Sequence, residues 1–522
     1  MFTDEITNSS SLSQIFDSEL VLGRSNRRSL INSYLILILF CFLMIYHIFD
    51  FVIKANEAIY SREILFQAIS IDIFFFISIL LFFWPERRTK FHYIMIGVTF
   101  LIQRLVVLPI IPVISSDLNR NLVFGSLLAS GYNPYLWIGD DIPILFGEIT
   151  LKVNYTAEWG THSYDYPVIA IIYFAFIAFL SPADNFSAFL FAKISLTLIE
   201  VINAFLIYKI LSLFPKSHNE VFREKMSLLY LLNPLSVYLV SLEGQFEPLV
   251  ILFTLISIYF LIKINLNSKN SPFSYFYPYI AGFFLSLGIL AKYFPILILP
   301  SIIIFFWKTP AKLLKFFSGL CFTSLLLSLP FLTSSYYITN FLRFQILRET
   351  NFLHSLTINI IGIDVPLVIL ILIFILSNII ITIRTKDQNT LFFSVSNAVI
   401  LLFLLFNTSI FPWYCLWLLP IVPFNGSPLK SPKKMSFQKE KMPDGPIINW
   451  IITFLIFLLA YVSKEMAGLL FEVFLIGFIF SYQSIIDTIY SIFGKTASSF
   501  QKSAKFNQDA EEKESIKIRL KS

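Results

Sequence analysis

The sequence predicts an all-α polytopic membrane protein, and three observations carry that prediction. Hydrophobic residues fill 57% of the 522 positions and charged residues only 14%, far less charge than a soluble domain needs to cover its surface. Apolar runs near the length that spans a ~30 Å hydrocarbon layer recur from Ser33 to about Tyr490. The basic residues between those runs fall mainly in alternate loops, the pattern of the positive-inside rule. One membrane domain, 33–490, accounts for most of the chain, with cytoplasmic tails at 1–32 and 491–522.

The elements follow in order. The first thirty residues are polar and carry Arg24, Arg27 and Arg28. They lack the apolar stretch of a cleaved signal peptide, so the first run is expected to stay as a helix. Spans are predicted at 33–53, 64–84 and 91–114, with Arg87, Arg88 and Lys90 between the second and third. Both basic groups belong inside, which puts the polar segment 115–165 outside. That external loop holds six acids (Asp117, Asp140, Asp141, Glu148, Glu158, Asp165) against Arg120 and Lys152.

The segment 166–182 either crosses the bilayer or dips in and returns. If it returns, the later inside loops (213–225, 263–270, 308–315, 384–388, 427–445) carry fifteen Lys and Arg, and the outside segments four. A crossing reverses that ratio. We therefore read 166–182 as a re-entrant or juxtamembrane helix packed against protein. The result is about fourteen transmembrane helices with both termini inside. The least secure pair is 276–291 and 293–308, two short spans broken at Lys292-Tyr293.

Composition also excludes functions. Cys41, Cys321 and Cys415 lie far apart, in or beside apolar runs, which argues against a disulfide framework and a zinc site. The net charge of +6 reflects loop charges that set orientation and implies no nucleic-acid partner. The chain has no Walker A loop, no HExxH and no Gly-rich turn paired with a nucleotide-binding domain. A nucleotide-sugar donor and an energy-coupled pump are therefore disfavoured.

On this topology the polar helix ends gather on the outer face, where ionisable groups at membrane depth are a functional hypothesis by default. Asp117 sits where the third span leaves the bilayer; it is either a general base for a hydroxyl proton or the cap of a helix beginning at Leu118. Glu247, in the short connection Glu243-Gly244-Gln245-Phe246-Glu247, is either a ligand to substrate or a loop cap. Lys292, Arg343 and Arg348 would stabilise a phosphate leaving group, or they snorkel at the interface. His354 is a lone histidine in a polar segment, read as a surface residue.

The order of these motifs resembles the GT-C glycosyltransferases, over about Ser115 to Pro420, roughly three fifths of the chain. The closest similarity is to the GPI mannosyltransferase I catalytic subunit and to prokaryotic polyprenol-phosphate-mannose-dependent mannosyltransferases. Asp117 is followed by a helix-like stretch, Gly131-Tyr132-Asn133-Pro134-Tyr135, Tyr164-Asp165-Tyr166-Pro167 and Leu231-Leu232-Asn233-Pro234-Leu235. Gly244-Gln245-Phe246-Glu247, Ala291-Lys292-Tyr293-Phe294-Pro295 and the stretch from Phe406-Asn407 to Leu418-Leu419-Pro420 complete the series. The family's D-x-D pair falls on Ser115 and Asp117, so one acid is missing and no metal is expected.

The resemblance implies a GT-C-like bundle and a glycosyltransferase acting on the non-cytoplasmic face. It would transfer a sugar, with mannose implied, from a polyprenyl- or dolichyl-phosphate donor to a lipid-linked glycan or glycolipid, with inversion and without a cofactor. Asp117 would be catalytic. Tyr135, Tyr164, Tyr166, Gln245, Glu247, Lys292, Arg343 and Arg348 would bind substrate. Membrane lipids and a small accessory subunit are the other implied partners. The membrane would be the plasma membrane in a prokaryote and the endoplasmic reticulum in a eukaryote. The alternatives are a flippase or transporter of lipid-linked sugars, using mid-span polar groups such as Asp72, Arg104, Glu200 and Asn203, a polymerase or ligase acting on pyrophosphate-linked glycans, and a non-catalytic homologue.

Overall fold

The structure is a computed structural model that describes residues 90–112, 117–139, 142, 163–181, 184–214, 220–233, 236–266, 272–342, 357–360 and 363–366, with single positions and short pieces between 388 and 424. The predicted spans 33–53 and 64–84, both tails, Ser115, Arg343, Arg348, His354 and the crossings beyond 366 lie wholly or largely outside the described residues.

Ten α-helices order the described chain. They are α1 (Lys90–Val107), α2 (Asp117–Ala129), α3 (Val168–Leu180), α4 (Asn185–Ser212), α5 (Glu220–Leu231), α6 (Glu247–Leu266), α7 (Tyr277–Ala291), α8 (Leu299–Phe305), α9 (Pro310–Ser328) and α10 (Ser335–Leu342). Three apolar stretches are long enough to cross a bilayer: Phe186–Ser212, Glu247–Leu266 and Pro310–Phe331. The chain is a membrane protein on that evidence.

Helix ends follow local chemistry. Asp184 caps α4, accepting from the Ser187 amide at 2.8 Å, and thereby satisfies one of the amides that no helical carbonyl reaches. Prolines at the first turns of α7, α8 and α9 place the residue without an amide hydrogen where none is needed. The break expected at Lys292-Tyr293 is present: α7 ends at Ala291, Lys292 is extended, and a 3-10 turn at Phe294–Ile298 leads into α8.

The helix α3 has 13 residues, about 20 Å at 1.5 Å per residue, too short for a full crossing. One face of it packs into the core through Val168, Ile171 and Phe174. Gly125 sets its distance from α2, because a Cβ there would lie 2.6 Å from the Phe174 carbonyl carbon. Close backbone approach through small residues is the usual way helices pack where lipid is as apolar as the interface.

Two features depart from regular expectation. The crossing that the charge pattern places between 213–225 and 243–247 is not one helix. It breaks after α5 and continues as a π-helix, Val237–Leu242, all of it buried. The all-α expectation also gains an exception, since Thr357–Ile360 (β1) and Ile363–Pro366 (β2) form an antiparallel hairpin within the predicted external segment.

Candidate active site

The site is built from three chain breaks. The first is the start of α2. Asp117 is its first residue and is 7% exposed, at the positive end of the helix, where a carboxylate is favoured. The second is the turn after the π-helix, where the Glu243 amide bonds five residues back to the Tyr238 carbonyl at 2.9 Å. Gly244 then takes φ 71°, and a Cβ there would meet Leu118 Cδ2 at 2.4 Å. Only glycine fits both the left-handed backbone and the space. The reversal brings Gln245 to Asp117, with Nε2 3.5 Å from Oδ2. The third break is Lys292, whose Nζ lies 2.5 Å from Glu247 Oε1.

Aromatic rings close the cluster. The Tyr166 hydroxyl donates to Asp117 Oδ2 at 3.3 Å. Lys292 Nζ is 5.1 Å from the Phe246 ring centroid and 5.4 Å from that of Tyr166, within range of cation–π attraction. The opposite end of the cluster holds Arg120, which pairs with Asp165 and lies 5.2 Å from the Tyr166 ring. Tyr164 and Tyr135 continue the edge-to-face chain from Tyr166. The Tyr135 hydroxyl donates to the Tyr166 carbonyl at 2.8 Å, and Ser334 Oγ donates to the Tyr135 carbonyl at 2.7 Å. Burial pushes both phenols above the ordinary tyrosine range, and for Tyr164 the Arg120 charge opposes that rise. Both are therefore neutral hydroxyls at physiological pH.

Of the sequence-predicted residues, Asp117, Tyr166, Gln245, Glu247 and Lys292 come together. Tyr135 and Tyr164 are buried deeper in the aromatic chain, at 1% and 0% exposure. Lys292, expected to face a donor phosphate, is 3% exposed and bound to Glu247. Arg343 and Arg348 are not among the described residues. Sequence reasoning left out Asn121 and the Arg120–Asp165 pair. Asn121 is one turn past Asp117, and that i to i+4 spacing was the available signal.

Three buried groups retain hydrogen-bonding capacity: Asn121 has neither side-chain atom bonded, and Gln245 Oε1 and Glu247 Oε2 have no partner. Buried polar atoms are rarely left so, and here they belong to the elements that converge on Asp117. The arrangement offers hydrogen-bond acceptors, a candidate base and a buried carboxylate–ammonium pair. Comparison with protein-family models, with curated proteins and with solved structures finds no match to this chain.

Proposed function

We propose that the chain is a membrane glycosyltransferase, a GT-C-like bundle of about fourteen helices, that moves a sugar from polyprenyl or dolichyl phosphate to a lipid-linked acceptor. One observation carries this reading. Asp117 and the Gln245–Glu247 turn are far apart in the chain, yet they meet beside Lys292 with acceptor atoms unfilled. A sugar presents several hydroxyl donors, which is the complement those atoms lack.

In the proposed step, Asp117 takes the proton of the acceptor hydroxyl as its oxygen attacks the anomeric carbon. The bond from that carbon to the phosphate oxygen breaks on the opposite face, and its electron pair leaves with the lipid phosphate, so configuration inverts. Gln245 and Glu247 accept bonds from sugar hydroxyls, and Lys292 keeps Glu247 ionised and aimed. Arg343 and Arg348 are the proposed phosphate contacts. Mannose as the sugar, the outer or luminal face and an accessory subunit rest on resemblance alone.

Asp117→Asn is expected to abolish transfer from a polyprenyl-phosphate sugar to membrane-extract acceptors, with expression and insertion unchanged. Full activity in that variant removes Asp117 from the mechanism. The flippase reading has less support. Arg104, Glu200 and Asn203, its candidate path residues, are each bonded to the chain between Leu231 and Pro248.

A further inference from the structure

The polar residues on one face of α4 meet a single stretch of chain. Lys193, Thr197, Glu200 and Asn203 recur at spacings of three and four, which places them on one stripe. Thr197 Oγ1 lies 2.9 Å from Ser241 Oγ, and Glu200 accepts from Ser236 Oγ. Asn203 Nδ2 donates to the Pro248 carbonyl at 2.9 Å, and Lys193 faces the charge of Glu243. All four partners belong to the interrupted segment that runs from the end of α5 through the π-helix to α6.

Arg104 grips that segment from the other side. Its guanidinium donates to the Ser236 carbonyl at 3.0 Å, Ser241 Oγ at 2.8 Å, the Leu231 carbonyl at 3.1 Å and Ser236 Oγ at 2.7 Å. It also lies 2.9 Å from Glu200 Oε2. Arg104 is 2% exposed and Glu200 0%, and Glu200 is near the middle of a helix long enough to span the bilayer. Charges at that depth are costly, and irregular backbone there is tolerated only where protein satisfies it. A forked guanidinium can serve two misdirected carbonyls and a carboxylate at once.

We infer that Arg104 and Glu200 are positioning residues that clamp the π-helix so that Gln245 and Glu247 face Asp117. They touch no reacting atom. They act through the Gly244 turn, which follows the gripped residues Ser236 and Ser241 and leans on Leu118. The consequence for catalysis rests on the transferase reading, whereas the clamp itself does not.

The test uses the full chain with Cys41, Cys321 and Cys415 replaced by serine and with Asp117→Cys and Gln245→Cys introduced. A short bifunctional thiol reagent reports their approach, measured only on the monodisperse fraction in detergent. Adding Arg104→Met with Glu200→Met removes both charges together, and the cross-linking rate is expected to fall by about tenfold. Arg104→Lys, which keeps the charge but loses the fork, should give an intermediate rate. An unchanged rate in the double variant overturns the clamp. If that variant yields no monodisperse protein, Ser236→Ala with Ser241→Ala decides, with the same fall expected and an unchanged rate again fatal.

A second arm measures sugar transfer without the introduced cysteines. Arg104→Met with Glu200→Met should lower kcat per folded molecule by about 10²-fold while KM for the donor stays within about twofold, as expected for misplacement near 1 Å. A wild-type chain that cross-links normally but transfers no sugar sinks the enzymatic reading and leaves the clamp standing. Loss of activity with an unchanged cross-linking rate does the reverse.

Discussion

Two buried ion pairs in this protein are built differently. Arg104–Glu200 is enclosed by its own fold: one Glu200 oxygen takes the Ser236 hydroxyl, the other faces the guanidinium, and the guanidinium also serves two carbonyls. In Lys292–Glu247, Oε1 takes the ammonium while Oε2 is buried with no partner. The first pair spends its capacity on holding backbone; the second keeps an acceptor in reserve. A buried ion pair is weak evidence for stability in itself, so what surrounds each pair separates scaffold from site.

Breaking the pairs one at a time should expose that contrast. Arg104→Met strands Glu200 in an apolar span, and removing one partner of a buried pair costs about 3–5 kcal/mol. We expect the largest loss of monodisperse protein and of Tm there. Lys292→Met removes a charge-assisted bond worth roughly 1.5–3 kcal/mol, so its Tm should fall less while sugar transfer is lost. Equal Tm losses, or a larger one for Lys292→Met, would erase the distinction between the two pairs.

A third substitution sharpens the comparison by disturbing the site without touching a charge. Gly125→Ala forces α2 from α3, and overpacking of this kind typically costs 1–3 kcal/mol, so a loss of about 2 kcal/mol is expected. Because Asp117 begins α2 and Tyr166 precedes α3, transfer should drop more than the modest change in Tm suggests. A wild-type rate in a folded Gly125→Ala protein would show that the approach of α2 to α3 does not control the site.

The smallest effect belongs to an exposed carboxylate used as a control. Asp184 has its pKa lowered from 3.8 by accepting bonds from the Ser187 hydroxyl and then the Ser187 amide. A depressed folded pKa means its contribution is present above 3.8 and is lost as pH falls through the lowered value. Asp184→Ala should lower Tm slightly at neutral pH, and the gap from wild type should close in acid. A gap that is constant down to the acid limit would mean the cap is not ionic.

Much of the site was legible from polar residues at the ends of apolar runs. Asp117, Gln245, Glu247 and Lys292 stand out because charge near a bilayer needs a reason, and their meeting is what the topology demanded. Arg104 and Glu200 were visible as misfits, but nothing in a linear pattern says which carbonyls a guanidinium will reach. The π-helix was hidden, because Val237-Tyr238-Leu239-Val240-Ser241-Leu242 reads as a continuation of any apolar helix. The hairpin was hidden too. Thr357–Ile360 and Ile363–Pro366 are four-residue segments, too short for alternation to stand out in a polar loop.

A π turn holds one residue more than an α turn. Deleting a single apolar residue between Val237 and Leu242 would let the segment relax to an ordinary helix, swinging all that follows by roughly 100°. Gln245 would then point away from Asp117 although no site residue had been altered. For this protein the count of residues in a bland stretch is as strict a requirement as the identity of any acid, and a one-codon gap there is a more damaging lesion than most substitutions nearby.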